Sequence, residues 1–206
     1  MEDTKRAARE RVNQDRRKEV VSVAARLFAE RGFHGTSMDD IARELGILKG
    51  SLYYWIESKE ALLGEVLEGS ISQTIDEAAE IAGRDIPAAE RLRLMVRSHI
   101  DSWVRNPNNF NVFIFEWRWL DPERMARYHE ERDSLEETYK RVLNDGISSG
   151  EFGAQPRDIS ILVNGIFGTM NWFPRWYREG GWASPEHIAE VFAGMIVNGL
   201  RGPARA

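Results

Sequence analysis

Residues 36–63, TSMDDIARELGILKGSLYYWIESKEALL, decide how this chain is read. Thr36 or Ser37 can cap a helix that carries Asp39 and Asp40 in its first turn, where the helix dipole favours acids. Met38, Ile41, Ala42 and Leu45 recur at helical spacing and form its inner face. Gly46 stops it. Leu48, Leu52 and Ile56 repeat the inward spacing on a short second helix, and Ser58 caps the helix that follows. Two helices, 37–45 and 48–55, joined by a Gly-Ile turn, are the signature of a helix-turn-helix.

The outward positions of the second helix suit duplex DNA. A rod about 10 Å long fits end-on into a major groove about 12 Å wide. Lys49, Ser51, Tyr53 and Tyr54 can donate to phosphates, and tyrosine rings can touch thymine methyls. Gly50 lets a backbone approach closely. Thr36 and Ser37 stand at a helix start that favours phosphate, and Lys59 begins the following helix. Upstream, residues 1–18 carry seven Lys/Arg against four Asp/Glu. A basic flexible arm is expected over 1–14, with Arg16 and Arg17 beyond it positioned for phosphate or minor-groove contact. The same residues also read as half-buried packing tyrosines, a common Gly-turn helix pair and a solubilising tail, and the pattern alone does not choose.

Outward from this segment the periodicity stays helical. Val20, Ala24, Leu27 and Phe28 line the helix before it. A fourth helix is expected as one rod over 59–82, available as a lever between the two halves. Further helices follow Pro87, Pro107 and Pro122, span Ile159 to Tyr177 with a kink at Pro174, and start again at Ser184-Pro185. No strand pattern or repeat appears. The expectation is an all-α chain of about nine helices. A three-helix helix-turn-helix domain would occupy 15–60, with its recognition helix at 48–55. A helical ligand-binding and dimerisation domain would occupy 61–206.

Two aromatic clusters mark that second part, six aromatics in 103–119 and six in 167–182. Many of these are core, yet helical bundles also place apolar ligand sites between facing helices. Trp103, Phe110, Phe113, Trp117, Tyr128, Phe167, Met170 and Asn171 are therefore expected to wall a cavity for a small hydrophobic effector, with Arg175 available to an anionic group. Gly165, Gly168, Ala189, Ala193 and Gly194 in the last two helices suit close packing in a homodimer or within one chain.

Composition bounds the alternatives. Hydrophobic content is 42%, charged content 30% and net charge −5, with no cysteine. The first 60 residues carry +1 and the remainder −6. No apolar run approaches the ~20 residues of a membrane span, and the charged N-terminus is unlike a signal peptide. A cytoplasmic, nucleoid-associated protein is expected. His34, His99, His129 and His187 are dispersed, and Asp133 occupies the fifth place after His129 where a zinc motif needs histidine. No metal, cofactor or catalytic set is expected. An all-α enzyme or helical scaffold remains a rival without a candidate catalytic pair.

Residues 24–63, AARLFAERGFHGTSMDDIARELGILKGSLYYWIESKEALL, resemble the N-terminal domain of the TetR family of one-component bacterial regulators. The resemblance rests on LFAERGF, TSMDDIA, G-x-x-K-G-S-L-Y-Y and S-K-E-x-L-L together. It implies a homodimer that binds a palindromic double-stranded DNA operator as a repressor and releases it when a ligand enters the C-terminal domain. Leu48 stands where the family has a Ser or Thr cap, and Trp55-Ile56 replaces its His-Phe. GIFGTMNWFPRWYREGG, residues 165–181, resembles family members that regulate lipid, steroid and aromatic-acid breakdown. That implies an acyl-CoA thioester as effector; a planar hydrophobic drug is the alternative, as in multidrug sensors.

Overall fold

Helices in this chain begin and end where capping side chains, prolines and glycines stand. The computed structural model describes residues 2–68 and 70–202, with side chains from Asn13 onward. Ten α-helices lie among them: α1 (Glu2–Arg31), α2 (Met38–Glu44), α3 (Lys49–Leu52), α4 (Lys59–Leu67), α5 (Ser72–Ala82), α6 (Ala88–Arg105), α7 (Pro107–Phe115), α8 (Pro122–Ser148), α9 (Ile159–Trp176) and α10 (Pro185–Arg201). Short 3-10 turns occupy Trp117–Trp119 and Pro156–Asp158, and no strand occurs among the described residues. The all-α expectation holds. The chain forms two compact units, Met1–Ser70 with Asn108–Tyr128, and Ile71–Pro107 with His129–Ala206.

In the first unit α1 packs against α2 and α4. Val20, Ala24, Leu27 and Phe28 of α1 are buried, as are Ile41, Leu52, Ile56, Leu62, Leu63 and Val66. The loop from α1 to α2 is tight. A Cβ on Gly35 would lie 2.2 Å from the Arg31 carbonyl oxygen, so only glycine fits. Ser37 caps α2 in a capping box with Asp40. Leu45 then ends α2, and Gly46 takes the left-handed conformation at φ +65°. Ile47 N–H donates to the Ala42 carbonyl at 3.0 Å and Gly46 N–H to the Arg43 carbonyl at 3.1 Å. Those two bonds form a Schellman close, which fixes the angle at which α3 leaves.

The first unit departs from expectation in three ways. The basic segment expected as an arm over 1–14 is, from Glu2, helical backbone continuous with α1. Regular helix in the recognition segment covers Lys49–Leu52 rather than 48–55. Leu48 supplies no side-chain cap, and beyond Leu52 bonds of the i→i+3 kind appear, Tyr54 N–H to Ser51 and Trp55 N–H to Leu52. Leu48 itself is extended and 80% exposed, so Leu52 and Ile56 alone form the inner face.

In the second unit α6 packs on α5, α9 and α10. Leu92, Met95, Val96, Tyr139, Val142, Val163 and Met170 form its main core. Ile100, Phe173, Ile188 and Ala189 form a second cluster, on which Trp103 and Tyr177 pack. The Glu151 carboxylate accepts from the Ala88 and Ala89 amides at 2.9 Å, capping α6 from a distant loop. Those backbone bonds hold its carboxyl below the usual range.

The rod expected over 59–82 is two helices. α4 ends at Leu67 and α5 starts at Ser72, and the compact units divide between Ser70 and Ile71. Ser70 and Ile71 stand in a turn before α5, so no single rod covers 59–82. Pro174 lies in the last turn of α9, which runs two residues further to Trp176.

Candidate nucleic-acid interface

The face of the first unit formed by α2, its turn and α3 brings most of the sequence-picked residues together. Tyr53 is 47% and Tyr54 72% exposed, an unusual state for phenol rings beside a packed helix. Gly50 and Ser51 are exposed beside them. A Cβ built on Gly50 meets nothing within 4 Å. Among the described residues nothing therefore demands glycine there, and alanine would suit the helix better. Ser37 is exposed at the start of α2. Lys49 Nζ reaches across from α3 to Asp39 Oδ2 of α2 at 2.7 Å, and that hydrogen bond raises its pKa.

Thr36 and Lys59 are engaged inward, whereas Arg16 and Arg17 keep solvent exposure in surface ion pairs. Thr36 is buried, and its hydroxyl donates to the carbonyls of Leu27 at 3.1 Å and Gly32 at 3.0 Å. Its side chain ties α1 to the loop and is not available to a phosphate. Lys59 Nζ donates to the carbonyls of Phe33 and Thr36, both at 2.9 Å, and lies 4.2 Å from the Phe33 ring centroid. Its ammonium is thus a strut under the same loop rather than a free phosphate ligand. Arg17 makes a two-pronged pair with Glu65 at 2.7 and 2.8 Å, joining α1 to α4. Arg16 pairs with Glu19 one turn along α1. Trp55 is half-buried with its ring edge-on to Tyr54 at 5.6 Å, and its indole N–H finds no partner among the described residues.

Two residues distant in sequence hold the loop before α2, and no local signal announces them. The Glu116 carboxylate accepts from the Phe33 amide at 3.1 Å. The Trp119 ring meets His34 edge-on at 4.0 Å and stacks on Phe33 at 6.4 Å. Both belong to the turn after α7, in the same compact unit.

The residues expected to wall a cavity divide between the units. Phe110, Phe113, Trp117 and Tyr128 belong to the first. There Trp117 stacks on Tyr128 at 5.2 Å with planes 9° apart, and Phe113 lies 4.7 Å from Tyr128. Trp103, Phe167, Met170, Asn171 and Arg175 belong to the second. Trp103 packs edge-on to Phe173 at 4.9 Å, as a core residue does. Asn171 Oδ1 lies 3.0 Å from His99 Nε2, and Phe167 bridges His99 and Tyr139. Burial pushes the His99 pKa down to about 4, so the ring is neutral at physiological pH. Met170 is buried and Arg175 exposed.

A third surface lies on the last two helices. Ile161, Gly165, Gly168 and Trp172 follow one exposed face of α9, and Val191 and Met195 one exposed face of α10. Cβ atoms on Gly165, Gly168 and Gly194 would meet nothing within 4 Å. Ala189 and Ala193, expected on this contact face, are instead buried in their own unit, because α10 presents two separate stripes. Among the described residues no group of three acidic or histidine side chains could hold a metal, and no helix is long and apolar enough to cross a membrane.

Comparison with known proteins covers both parts of the chain. The family model for bacterial regulatory proteins of the tetR family matches residues 20–66, and the model for the tetracyclin repressor-like C-terminal domain matches residues 85–200. The HTH-type transcriptional repressor KstR2 of Rhodococcus jostii is 29% identical over 189 residues, covering 91% of this chain and 92% of that one. Among solved structures, the ketosteroid transcriptional regulator KstR2 of Mycobacterium tuberculosis superposes with a TM-score of 0.81 at 28% identity, covering 90% of this chain and 94% of that one. The TetR family transcriptional regulator PfmR from Thermus thermophilus gives 0.78 at 28% identity, covering 90% and 99%.

Proposed function

The chain belongs to the TetR family of bacterial regulatory proteins, and from that premise we propose that it is a homodimeric repressor that binds a palindromic operator and lets go when a hydrophobic effector binds. The observation that carries the DNA half is the exposed set Gly50, Ser51, Tyr53 and Tyr54 on and beside α3, with no internal reason for the glycine. Lys49, Ser37, Arg16 and Arg17 complete the proposed contact set. Thr36 and Lys59 act beneath it by fixing the loop. We keep 15–60 as the DNA-binding domain and 61–206 as the part that binds ligand and dimerises. The last two helices pair the protomers through the exposed faces of α9 and α10, because one head alone cannot span half-sites about 34–36 Å apart.

For the effector we propose an acyl-CoA thioester of lipid or steroid breakdown. The curated relative is a repressor, and its solved counterpart is a ketosteroid regulator. The apolar rings of Phe113, Trp117 and Tyr128, all within the first unit, suit the acyl part. Transmission follows from residue placement. Phe113, Trp117 and Tyr128 share a compact unit with α3, and the turn that holds Trp117 also holds Glu116 and Trp119 against the loop before α2. A ligand that shifts this turn would loosen that loop. No enzyme activity is proposed, and a bacterial cytoplasm is the setting.

Gel retardation on DNA selected from the source genome tests the reading. Salt-sensitive, dimer-dependent binding supports it, and its absence refutes it. Calorimetry with long-chain acyl-CoA, steroid-CoA, free acids and planar hydrophobic cations tests the effector. Binding of a thioester that also releases DNA supports that class; binding of the planar cations alone selects the drug-sensor reading.

A further inference from the structure

Leu48 breaks two local rules at once. It stands immediately before α3, where Ser, Thr, Asp or Asn would accept a hydrogen bond from the first turn, and it supplies none. It is also an aliphatic side chain left 80% exposed. Its backbone is extended, at φ −73° and ψ 144°, and its side chain does not share the burial of Leu52 and Ile56. Single exposed leucines are ordinary; the place of this one is not. Among the described residues of 13–70, the large apolar side chains left exposed are Leu48, Tyr53 and Tyr54, all on α3 or next to it. Lys49, Gly50 and Ser51, which follow Leu48 directly, are exposed as well, and the space over Gly50 is open. The exposed apolar surface of the helix-turn-helix is thus gathered where a recognition helix presents its leading residues to base edges.

We infer that Leu48 is a specificity-determining residue whose isobutyl group packs on the 5-methyl group of a thymine in the major groove of each half-site. That methyl is the one aliphatic group that unmodified base pairs present there. Contact takes it and the leucine out of water together. At any other base in that place the same leucine covers a polar edge, such as the cytosine amino group or guanine O6 and N7, and gives it no partner. The discrimination therefore comes from the base and not from the phosphates, which every duplex shares. A serine in this position would cap α3 but carry no preference for a methyl group. This inference rests on the reading of α3 as the DNA-contacting element.

The test scans an operator selected by the wild-type protein, replacing one thymine at a time by deoxyuridine, which removes the 5-methyl group and keeps every hydrogen-bonding group. Wild type, Leu48→Met, Leu48→Ala and Leu48→Ser are titrated by fluorescence anisotropy at one salt concentration. At one thymine per half-site the change should cost the wild type about fourfold in affinity, and about fifteenfold when both half-sites carry it, the worth of one buried methyl group at each. Leu48→Met, equally apolar, should keep that penalty. Leu48→Ala and Leu48→Ser should reduce it below about twofold at that position alone, leaving untouched any penalty that Tyr53 or Tyr54 causes at other thymines. Leu48→Ser should also melt about 2–4 °C higher, because it gains a cap. A flat scan for the wild type, or the same penalty with leucine, alanine and serine, overturns the inference while leaving the repressor reading intact. So does a Leu48→Ser protein that melts below wild type, since the leucine would then be packed within its own chain. Failure of the wild-type protein to bind any selected DNA overturns both.

Discussion

Replacing Gly50 with alanine should move stability and DNA binding in opposite directions. In the free protein the added methyl meets no atom within 4 Å, so it strains nothing. Gly50 has ordinary helical dihedrals rather than a positive φ, so alanine adopts its backbone freely. Alanine is a better helix former by up to about 1 kcal/mol, partly through a less disordered unfolded chain. For a protein of this size that raises Tm by about 2–4 °C. On the operator the same methyl stands where a sugar-phosphate backbone or base edge must approach. Backing α3 away by the width of a methyl group loses at least one base or phosphate contact, worth about 1–3 kcal/mol. That is about a 5- to 150-fold loss of operator affinity. Differential scanning calorimetry and a fluorescence-anisotropy titration, run on the same preparation, measure the two effects. An alanine variant that binds the operator as tightly as wild type removes Gly50 from the interface. A fall in Tm would mean the space around Gly50 is not open.

Three further outcomes are expected. Glu116→Ala leaves the Phe33 amide without its acceptor, costing about 1–2 kcal/mol; operator affinity should drop in anisotropy titrations although residue 116 touches no DNA, and unchanged affinity would detach this turn from signalling. His99 is neutral when folded, with its pKa down at about 4 against about 6.5 when unfolded. The unfolded chain then binds more protons between those values, so stability is full above pH 6.5 and falls by up to about 3 kcal/mol as pH drops toward 4; urea titrations of His99→Gln should show a flatter profile across that window, and an identical slope would refute the assignment. Trp172→Glu with Met195→Lys charges the exposed faces of α9 and α10; sedimentation should report monomers that no longer retard DNA, and dimers that persist would place the interface elsewhere.

The parts of the molecule legible in sequence are those governed by local rules. Ser37, Gly46 and Ser58 announced the ends of the helices around the turn, and those caps are present. Leu52 and Ile56 announced a buried face. Leu48 misled because periodicity assumes the helix has already begun, whereas an uncapped start leaves that residue extended and in solvent. Thr36 and Lys59 carry donor groups in the right neighbourhood for DNA, but backbone carbonyls of a folded loop take them first, and no sequence window displays those carbonyls. Glu116 and Trp119 were invisible for the same reason, lying more than 80 positions from the loop they hold. The break between α4 and α5 hid behind an apolar stripe that continues in phase through Glu68-Gly69-Ser70.

Dimethyl sulfate footprinting of a genome-selected operator most directly tests whether α3 reads the major groove from two protomers at once. The account predicts guanine N7 protection in two patches related by a dyad, centred about 10–10.5 base pairs or a multiple of that apart, with both patches lost together in a Tyr53→Ala, Tyr54→Ala protein that remains folded. A single patch, protection confined to the minor groove, or a footprint that survives without those tyrosines would contradict it.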